Sequence, residues 1–388
     1  MKIIIMILIC FVGVKSNSQA VLSEQQIIDS VLGNNYQLNS AMLKVQAQQN
    51  LKGNSWKIPD PQLFADRTPF EPLTLNIEQT IDFPLQYVKQ GELNKQQITL
   101  AEKNVQVTRN DIIRYTKLIY TQLQFLEGKQ AVLSAQDSFY SVISTSSSRA
   151  FEAGNIDYLS KLFAETKAGE IHQQYLQTEA DLAATKNNLK LVTGMQTEIK
   201  VAPLQKTIFR VDSVTTLNNP LLNYLNQNIA VADAEWKLEK THALPGLLLG
   251  YNKALENDPT YSYGFKLGIT VPLWFYQYSA RSNTAKIEIA VAEAEYLAKK
   301  QTLEQESINL LSNFYKFDQA LRYYEKTAIP NSNKIIETSM RLQESGETNY
   351  IDYLRTLSDA YAIRLNYLET LYNYNISVIE LNYLTGNR

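Results

Sequence analysis

Two stretches of the chain alternate between apolar and polar residues at nearly every position. Over 261–271, Tyr261, Tyr263, Phe265, Leu267, Ile269 and Val271 fall on one side, and Ser262, Gly264, Lys266, Gly268 and Thr270 on the other. Over 73–83, Leu73, Leu75, Ile77, Ile81 and Phe83 share a side with Gln79 as the exception, against Thr74, Asn76, Glu78, Thr80 and Asp82. A period of two sustained this long predicts strands with one apolar, aromatic face and one small or polar face. Shorter strands are expected at 62–68 and 246–253. Elsewhere the period is seven. Ile98, Val105, Ile112, Ile119, Leu126, Leu133 and Tyr140 form one row, with Leu118, Phe125, Val132 and Phe139 one position before. Ile289, Tyr296, Leu303, Leu310, Phe317 and Tyr324 form another. Sevens held over this many turns predict coiled-coil seams. Neither 86–150 nor 276–343 contains an obvious stop apart from Pro330. About 65 helical residues make a rod of roughly 95 Å, longer than a compact domain needs.

The rods end on a motif that occurs twice. The stretch AFEAGNIDYL (150–159) returns in outline as LQESGETNYIDYL (342–354). With Gly154 set on Gly346, Asp157 falls on Asn349, Tyr158 on Tyr350, Leu162 on Leu354, and Thr193-Gly194 on Thr385-Gly386. Upstream, Asn35 matches Asn219 at an offset of 184, and Phe83-Pro84-Leu85 matches Val271-Pro272-Leu273 at 188. The chain therefore reads as two copies of one unit, 21–205 and 206–388, with two four-residue insertions in the second. The segment 200–218 reads as the linker. Each unit runs shorter helix, two strands, long helix, tight turn, long helix. Gly154 and Gly346 suit the left-handed residue that ends a helix. Asp157 and Asn349, three residues on, suit N-caps for the returning helix, and Asn349-x-x-Asp352 resembles a capping box.

Composition narrows the function. The chain has 388 residues, is 45% hydrophobic and 20% charged, and carries a net charge of −2, which makes no case for nucleic acid as a partner. Residues 1–20 have the form of a secretory leader: Lys2, an apolar run at 3–14 too short to span a membrane, and a small-residue exit before a cut after Ala20. The single cysteine, Cys10, lies inside it, so the exported chain would have neither disulfides nor thiolate metal sites. His172 and His242 stand alone, with no metal-ligand partner at helical spacing, and no phosphate loop or nucleophile elbow occurs. No catalytic, cofactor or metal residue is assigned, and an enzyme is not expected.

An exported chain whose strand pairs have one apolar and one polar face points to a membrane barrel. Four strands cannot close one, and open edges are not tolerated in lipid, so closure needs several chains. At this point the sequence resembles the TolC-type outer-membrane efflux proteins over nearly all of its exported length. The resemblance rests on the paired tips GNIDYL (154–159) and GETNYIDYL (346–354), on Leu191-Val-Thr-Gly194 and Tyr383-Leu-Thr-Gly386, and on Gly268-Ile-Thr-Val-Pro-Leu273 leading into a long helix. It implies a mainly α fold with a small membrane β-barrel part, built as a homotrimer with a twelve-stranded barrel in outer-membrane lipid and a helical tunnel through the periplasm. It further implies a passive duct without cofactor, docking by its tips to a periplasmic adaptor (membrane fusion) protein and an inner-membrane pump of the RND type. The chain does not name its cargo: heavy-metal cations, drugs and a secreted polypeptide are the open classes, since the pump loads the duct. The docking residues would be Gly154, Asn155, Ile156, Asp157, Gly346, Glu347, Thr348 and Asn349. Asp352 would face the aperture, with Arg355 one turn on, where the alternative is a plain Asp352–Arg355 ion pair. Tyr261, Tyr263, Trp274, Phe275 and Tyr276 would form a membrane aromatic belt. The rival reading is a periplasmic coiled-coil adaptor or scaffold, which would have one hairpin rather than two.

Overall fold

A computed structural model describes residues 21–67, 73–195, 199–209, 218–255 and 263–386. The leader, its cleavage point, Cys10 and Tyr261 lie outside them. The first repeat comprises α1 (Glu24–Asn34), α2 (Tyr36–Asn50), β1 (Gln62–Asp66), β2 (Thr74–Ile81), α3 (Pro84–Glu152) and α4 (Tyr158–Thr193). The second comprises α5 (Pro220–Glu239), β3 (Gly246–Ala254), β4 (Tyr263–Thr270), α6 (Phe275–Tyr323), α7 (Ile329–Glu344) and α8 (Tyr350–Thr385).

The single short helix expected at the front of each repeat is two helices in the first. Asn35 adopts an extended conformation (φ −80°, ψ 117°) that ends α1, and its side chain accepts from the Gln37 and Leu38 amides to start α2. Asn219 starts α5 in the same way, accepting from Leu221 and Leu222, with Pro220 at the first helical position.

The row of sevens explains how the 69-residue α3 is held. Ile112, Ile119, Leu126, Leu133 and Tyr140 are all buried, while Leu118, Phe125, Val132 and Phe139 are half-buried beside them. In the second repeat the buried row is Ser307, Phe314, Leu321 and Ala328, and then continues at Ser332 and Ser339. Its first part lies 188 residues after its counterpart in α3 and its last part 192. The four extra residues therefore enter at the wide π-helical turn Tyr324–Ala328, which joins α6 to α7 just before Pro330. Four residues turn a helix by about 400°, so the buried face nearly survives the insertion. The wider turn takes up the remainder next to a proline that offers no amide.

The four strands form one antiparallel sheet in the order β1-β2-β3-β4. Register carries one face across it: Leu63 opposes Ile77, Ile77 opposes Tyr251, and Tyr251 opposes Phe265. The hydrophobic interior is a series of clusters strung along the helices rather than one centre. One cluster gathers Ile27, Val31, Leu123 and Leu189; another, near the turns, gathers Tyr140, Ile171, Leu354 and Leu357. The described linker residues 200–209 bind both repeats. Leu22 donates to the Lys200 carbonyl (3.0 Å), Asn375 clasps the Gln205 carbonyl and the Thr207 amide, and Lys206 reaches Asp318 at 2.7 Å.

Candidate functional site at the hairpin tips and the sheet

Both hairpins close on the same hydrogen-bonded turn. Gly154 (φ 73°) donates to the Phe151 carbonyl and Asn155 to that of Ala150 (2.9 and 2.8 Å). Gly346 (φ 75°) and Glu347 repeat the pattern with Gln343 and Leu342 (3.2 and 3.0 Å). These are Schellman turns, and their left-handed residue is one that a Cβ disfavours. Two residues on, the Asp157 carboxylate accepts from the Ser160 amide at 2.6 Å, and Asn349 accepts from Asp352 at 2.8 Å. The Ser160 amide, seconded by its hydroxyl, holds Asp157 below the usual carboxylate range. At the second tip the reciprocal bond runs from the Asn349 side-chain amide to the Asp352 carboxylate (2.6 Å), not to the Asn349 backbone as a capping box would have it.

Gly154, Asn155, Asp157, Gly346, Glu347 and Asn349 are exposed, whereas Ile156 and Thr348 are half-buried. Asp352 and Arg355 are both exposed, and Asp352 is bonded to Asn349. No ion pair joins Asp352 to Arg355 among the described residues. The tips differ in what flanks them. At the second, Leu354 is fully buried and the Tyr350 hydroxyl bonds Ser147 of α3. At the first, Tyr158, Leu159 and Leu162 are 62%, 64% and 43% exposed. Sequence reasoning did not single out this apolar patch. The signal was available in Leu159 and Leu162 occupying the same repeat positions as Ile351 and Leu354.

At the other end of the rods, the sheet's apolar face is open. Phe265, Leu267 and Ile269 on β4 are 81%, 79% and 72% exposed, an apolar surface that water does not favour. Tyr263 begins β4, and Trp274, Phe275 and Tyr276 follow its far end, so exposed aromatics stand at both rims of the strand. The opposite face is polar. Lys266 on β4 reaches over Gly250 on β3 to Glu78 on β2 (3.1 Å). A Cβ at Gly250 would stand 3.1 Å from the Lys266 Cβ and 3.4 Å from the Glu78 Cγ, so glycine is what allows the pair to meet. The outer edges of β1 and β4 have no partner strand among the described residues.

The repeats join through α3 and α8. Arg114 makes a two-pronged pair with Glu380 (2.7 and 2.8 Å) and lies over the Tyr383 ring, 4.7 Å from its centre. The Tyr383 hydroxyl donates to Asp111 (2.8 Å). Burial first, and that bond to Asp111 second, push Tyr383 up to about 12. His172 faces Asp137 at 3.1 Å, a neighbour from the adjacent helix that spacing along one helix could not reveal. Among the described residues no group of acidic, histidine or cysteine side chains could hold a metal ion, and no helix is long and apolar enough to cross a membrane.

The family model for outer membrane efflux proteins matches residues 213–387. No curated protein matches by sequence. Solved structures match over nearly the whole chain. The CmeC outer membrane channel of Campylobacter jejuni is 14% identical with a TM-score of 0.78, covering 96% of this chain and 90% of its own. The outer membrane protein VceC of Vibrio cholerae is 14% identical with a TM-score of 0.78, covering 94% and 96%. CusC, described for its transmembrane channel formation, is 16% identical with a TM-score of 0.78, covering 94% and 92%. Over its second repeat the sequence matches the outer membrane efflux protein family, and over nearly its whole length the chain has the fold of these solved outer membrane channels.

Proposed function

We propose that the chain is one protomer of a passive, trimeric exit duct in the outer membrane, with its helical hairpins extending into the periplasm. The observation that carries this reading is the sheet: four strands, an exposed apolar face rimmed by aromatics, and two unpartnered edges. Unpaired edges cannot persist in lipid, and three copies joined edge to edge would remove them all in a twelve-stranded barrel. The surface area supports assembly as well. The single chain exposes 24626 Å², against about 15,500 Å² expected of a compact monomer of its mass. Purified protein inserted in planar bilayers should give stable single-channel conductance, and the protein should resist alkaline washing of membranes. A protein that washes off and conducts nothing contradicts the duct and favours the periplasmic scaffold.

In this reading the two tips dock a periplasmic adaptor coupled to an inner-membrane pump of the RND type. Their exposed backbone turns and the Tyr158–Leu159 patch support it. Gly346→Trp should abolish crosslinking to the adaptor while leaving the duct assembled; unchanged efflux and crosslinking contradict tip docking. Asp352 and Arg355, exposed one turn inside the second tip, are assigned to the aperture. Asp352→Asn should reduce the cation preference of single channels, and an unchanged preference removes Asp352 from that role. Cargo selection belongs to the pump, with heavy-metal cations or drugs as the classes to test. The chain itself performs no chemistry in this scheme.

A further inference from the structure

The two repeats differ at the sheet end of their long helices. At the start of α6 the exposed run is Leu273, Trp274, Phe275 and Tyr276. At an offset of 188 their counterparts at the start of α3 are Leu85, Gln86, Tyr87 and Val88, so the first repeat lacks two of the three aromatics. Tyr87 is also buried, where Phe275 is 62% exposed. What covers Tyr87 is Trp56, from the connection between α2 and β1. The two rings stack with centroids 5.4 Å apart and planes 11° apart. Trp56 itself is 67% exposed, so it takes the outward place that Phe275 holds in the second repeat. The Tyr87 hydroxyl, accepting from the Asp82 amide (3.0 Å), fixes the stack at the strand-to-helix turn.

The connection is held from two sides. It begins with a 3₁₀ turn, Leu51–Trp56. Asn94 of α3, itself buried, donates to the Leu51 carbonyl (3.2 Å) and the Ser55 hydroxyl (3.1 Å). Gln79, the one polar residue on the apolar side of β2, donates to the Pro59 carbonyl (2.7 Å). That bond accounts for the break in the alternation of β2 and draws the connection toward the apolar side of the sheet. Leu51 and Ile58 on the connection, Val88 on α3 and Leu63 on β1 are all exposed. The open apolar surface of the sheet therefore continues onto the connection. Lys52 and Lys57 lie on either side of Trp56 in the chain, and both are exposed.

The second repeat shows that this position looks outward even where helices close in on both sides. Its equivalent turn, Lys240–Ala243, packs on both α3 and α6. Lys240, the counterpart of Trp56 at an offset of 184, is nevertheless exposed. Further copies of the chain therefore leave Trp56 uncovered. The two residue types trade places between repeats. Lys52 and Trp56 stand where Trp236 and Lys240 stand in the second, with the Lys240 ammonium 4.6 Å from the centre of the Trp236 ring. A tryptophan and a lysine one turn apart suit the border between hydrocarbon and headgroups. The depth agrees. Tyr87 lies three residues into α3, about 5 Å along its axis, within a headgroup layer roughly 5–8 Å deep on each side of a bilayer.

We infer that Trp56, Lys52 and Lys57 form an anchor for anionic phospholipid in the first repeat. The indole lies at the edge of the hydrocarbon, and the two ammonium groups bind phosphate headgroups of the leaflet that faces the periplasm. Each copy then carries a lipid anchor on both repeats, one placed after its strands at Trp274–Tyr276 and one placed before them at Trp56. This inference rests on the membrane-duct reading and adds to it the lipid class and the residues that meet it.

The test uses the three tryptophans of the chain, Trp56, Trp236 and Trp274. One variant keeps only Trp56 (Trp236→Phe, Trp274→Phe) and another only Trp274 (Trp56→Phe, Trp236→Phe), each first matched to the wild type by circular dichroism. Both are reconstituted in vesicles in which either phosphatidylglycerol or phosphatidylcholine is brominated near the headgroup end of its acyl chains. Both tryptophans should be quenched by the bromines and shielded from aqueous iodide. Trp56 should respond more to the phosphatidylglycerol, and Lys52→Gln with Lys57→Gln should lower that preference roughly fivefold. Trp274 quenched while Trp56 stays open to iodide overturns this inference and leaves the duct intact. An equal response of Trp56 to both lipids overturns the headgroup contact. Quenching of neither tryptophan overturns the duct as well.

Discussion

At the scale of single residues, the tip glycines and a few charges carry the testable consequences. Gly154 and Gly346 hold positive φ with open space around them, so alanine there meets no clash but is strained by about 1–2 kcal/mol. Gly154→Ala should therefore loosen the turn without unfolding the rod. Amide exchange at Asn155 should accelerate while that of Leu133 is unchanged, and equal protection at both positions would contradict the assignment. Two acids respond to pH in opposite senses. Burial alone would raise Asp318, but hydrogen bonds from Lys206 and Arg322 outweigh it and hold its pKa down. Its stabilisation is thus present above the unfolded value near 3.9 and is lost as pH falls through the lower folded value. The difference in Tm between wild type and Asp318→Asn should be largest at neutral pH and vanish in acid. Glu235 is raised by burial first, then by Glu288 and Glu239. Its neutral form suits the fold, so its contribution is present below the unfolded value and is lost as pH rises through the folded one. Glu235→Gln should raise Tm at neutral pH, and a lowered Tm would show that its charge is used.

At the scale of elements, the sheet depends on a small residue between two charges. Gly250→Val should separate Lys266 from Glu78 and crowd β3 against β4. Folded, heat-modifiable protein in the membrane should fall, whereas Lys253→Val on the other face should be tolerated. Within α3, Leu133 is fully buried, and its truncation to alanine should cost about 2–5 kcal/mol. Elements of this kind were largely legible from the sequence, because the period of seven in α3 and the period of two in β2 and β4 are local signals. The boundary at Asn35 was less so, since an asparagine inside an otherwise helical pattern shows no break until its backbone is seen to be extended. Pro330 was legible as a stop in the long helical stretch, but not as the neighbour of an insertion. The π turn before it emerges only when the buried row is followed from Ala328 to Ser332.

At the scale of the whole molecule, the repeat is the organising fact. Offsets of 184, 188 and 192 could be read from the chain, and with them the tips. The contacts between the repeats could not, because Arg114 and Glu380 are 266 residues apart and belong to no local pattern. Nor could the apolar patch at Tyr158 and Leu159, whose exposure depends on what covers its twin at Tyr350 and Ile351. The exposed strand face and the unpartnered edges both call for further copies of the same chain. The most direct measurement is the native mass of the protein extracted from washed membranes in mild detergent. The account predicts three copies that need detergent to remain soluble. A monomer or dimer that leaves the membrane without detergent would contradict it.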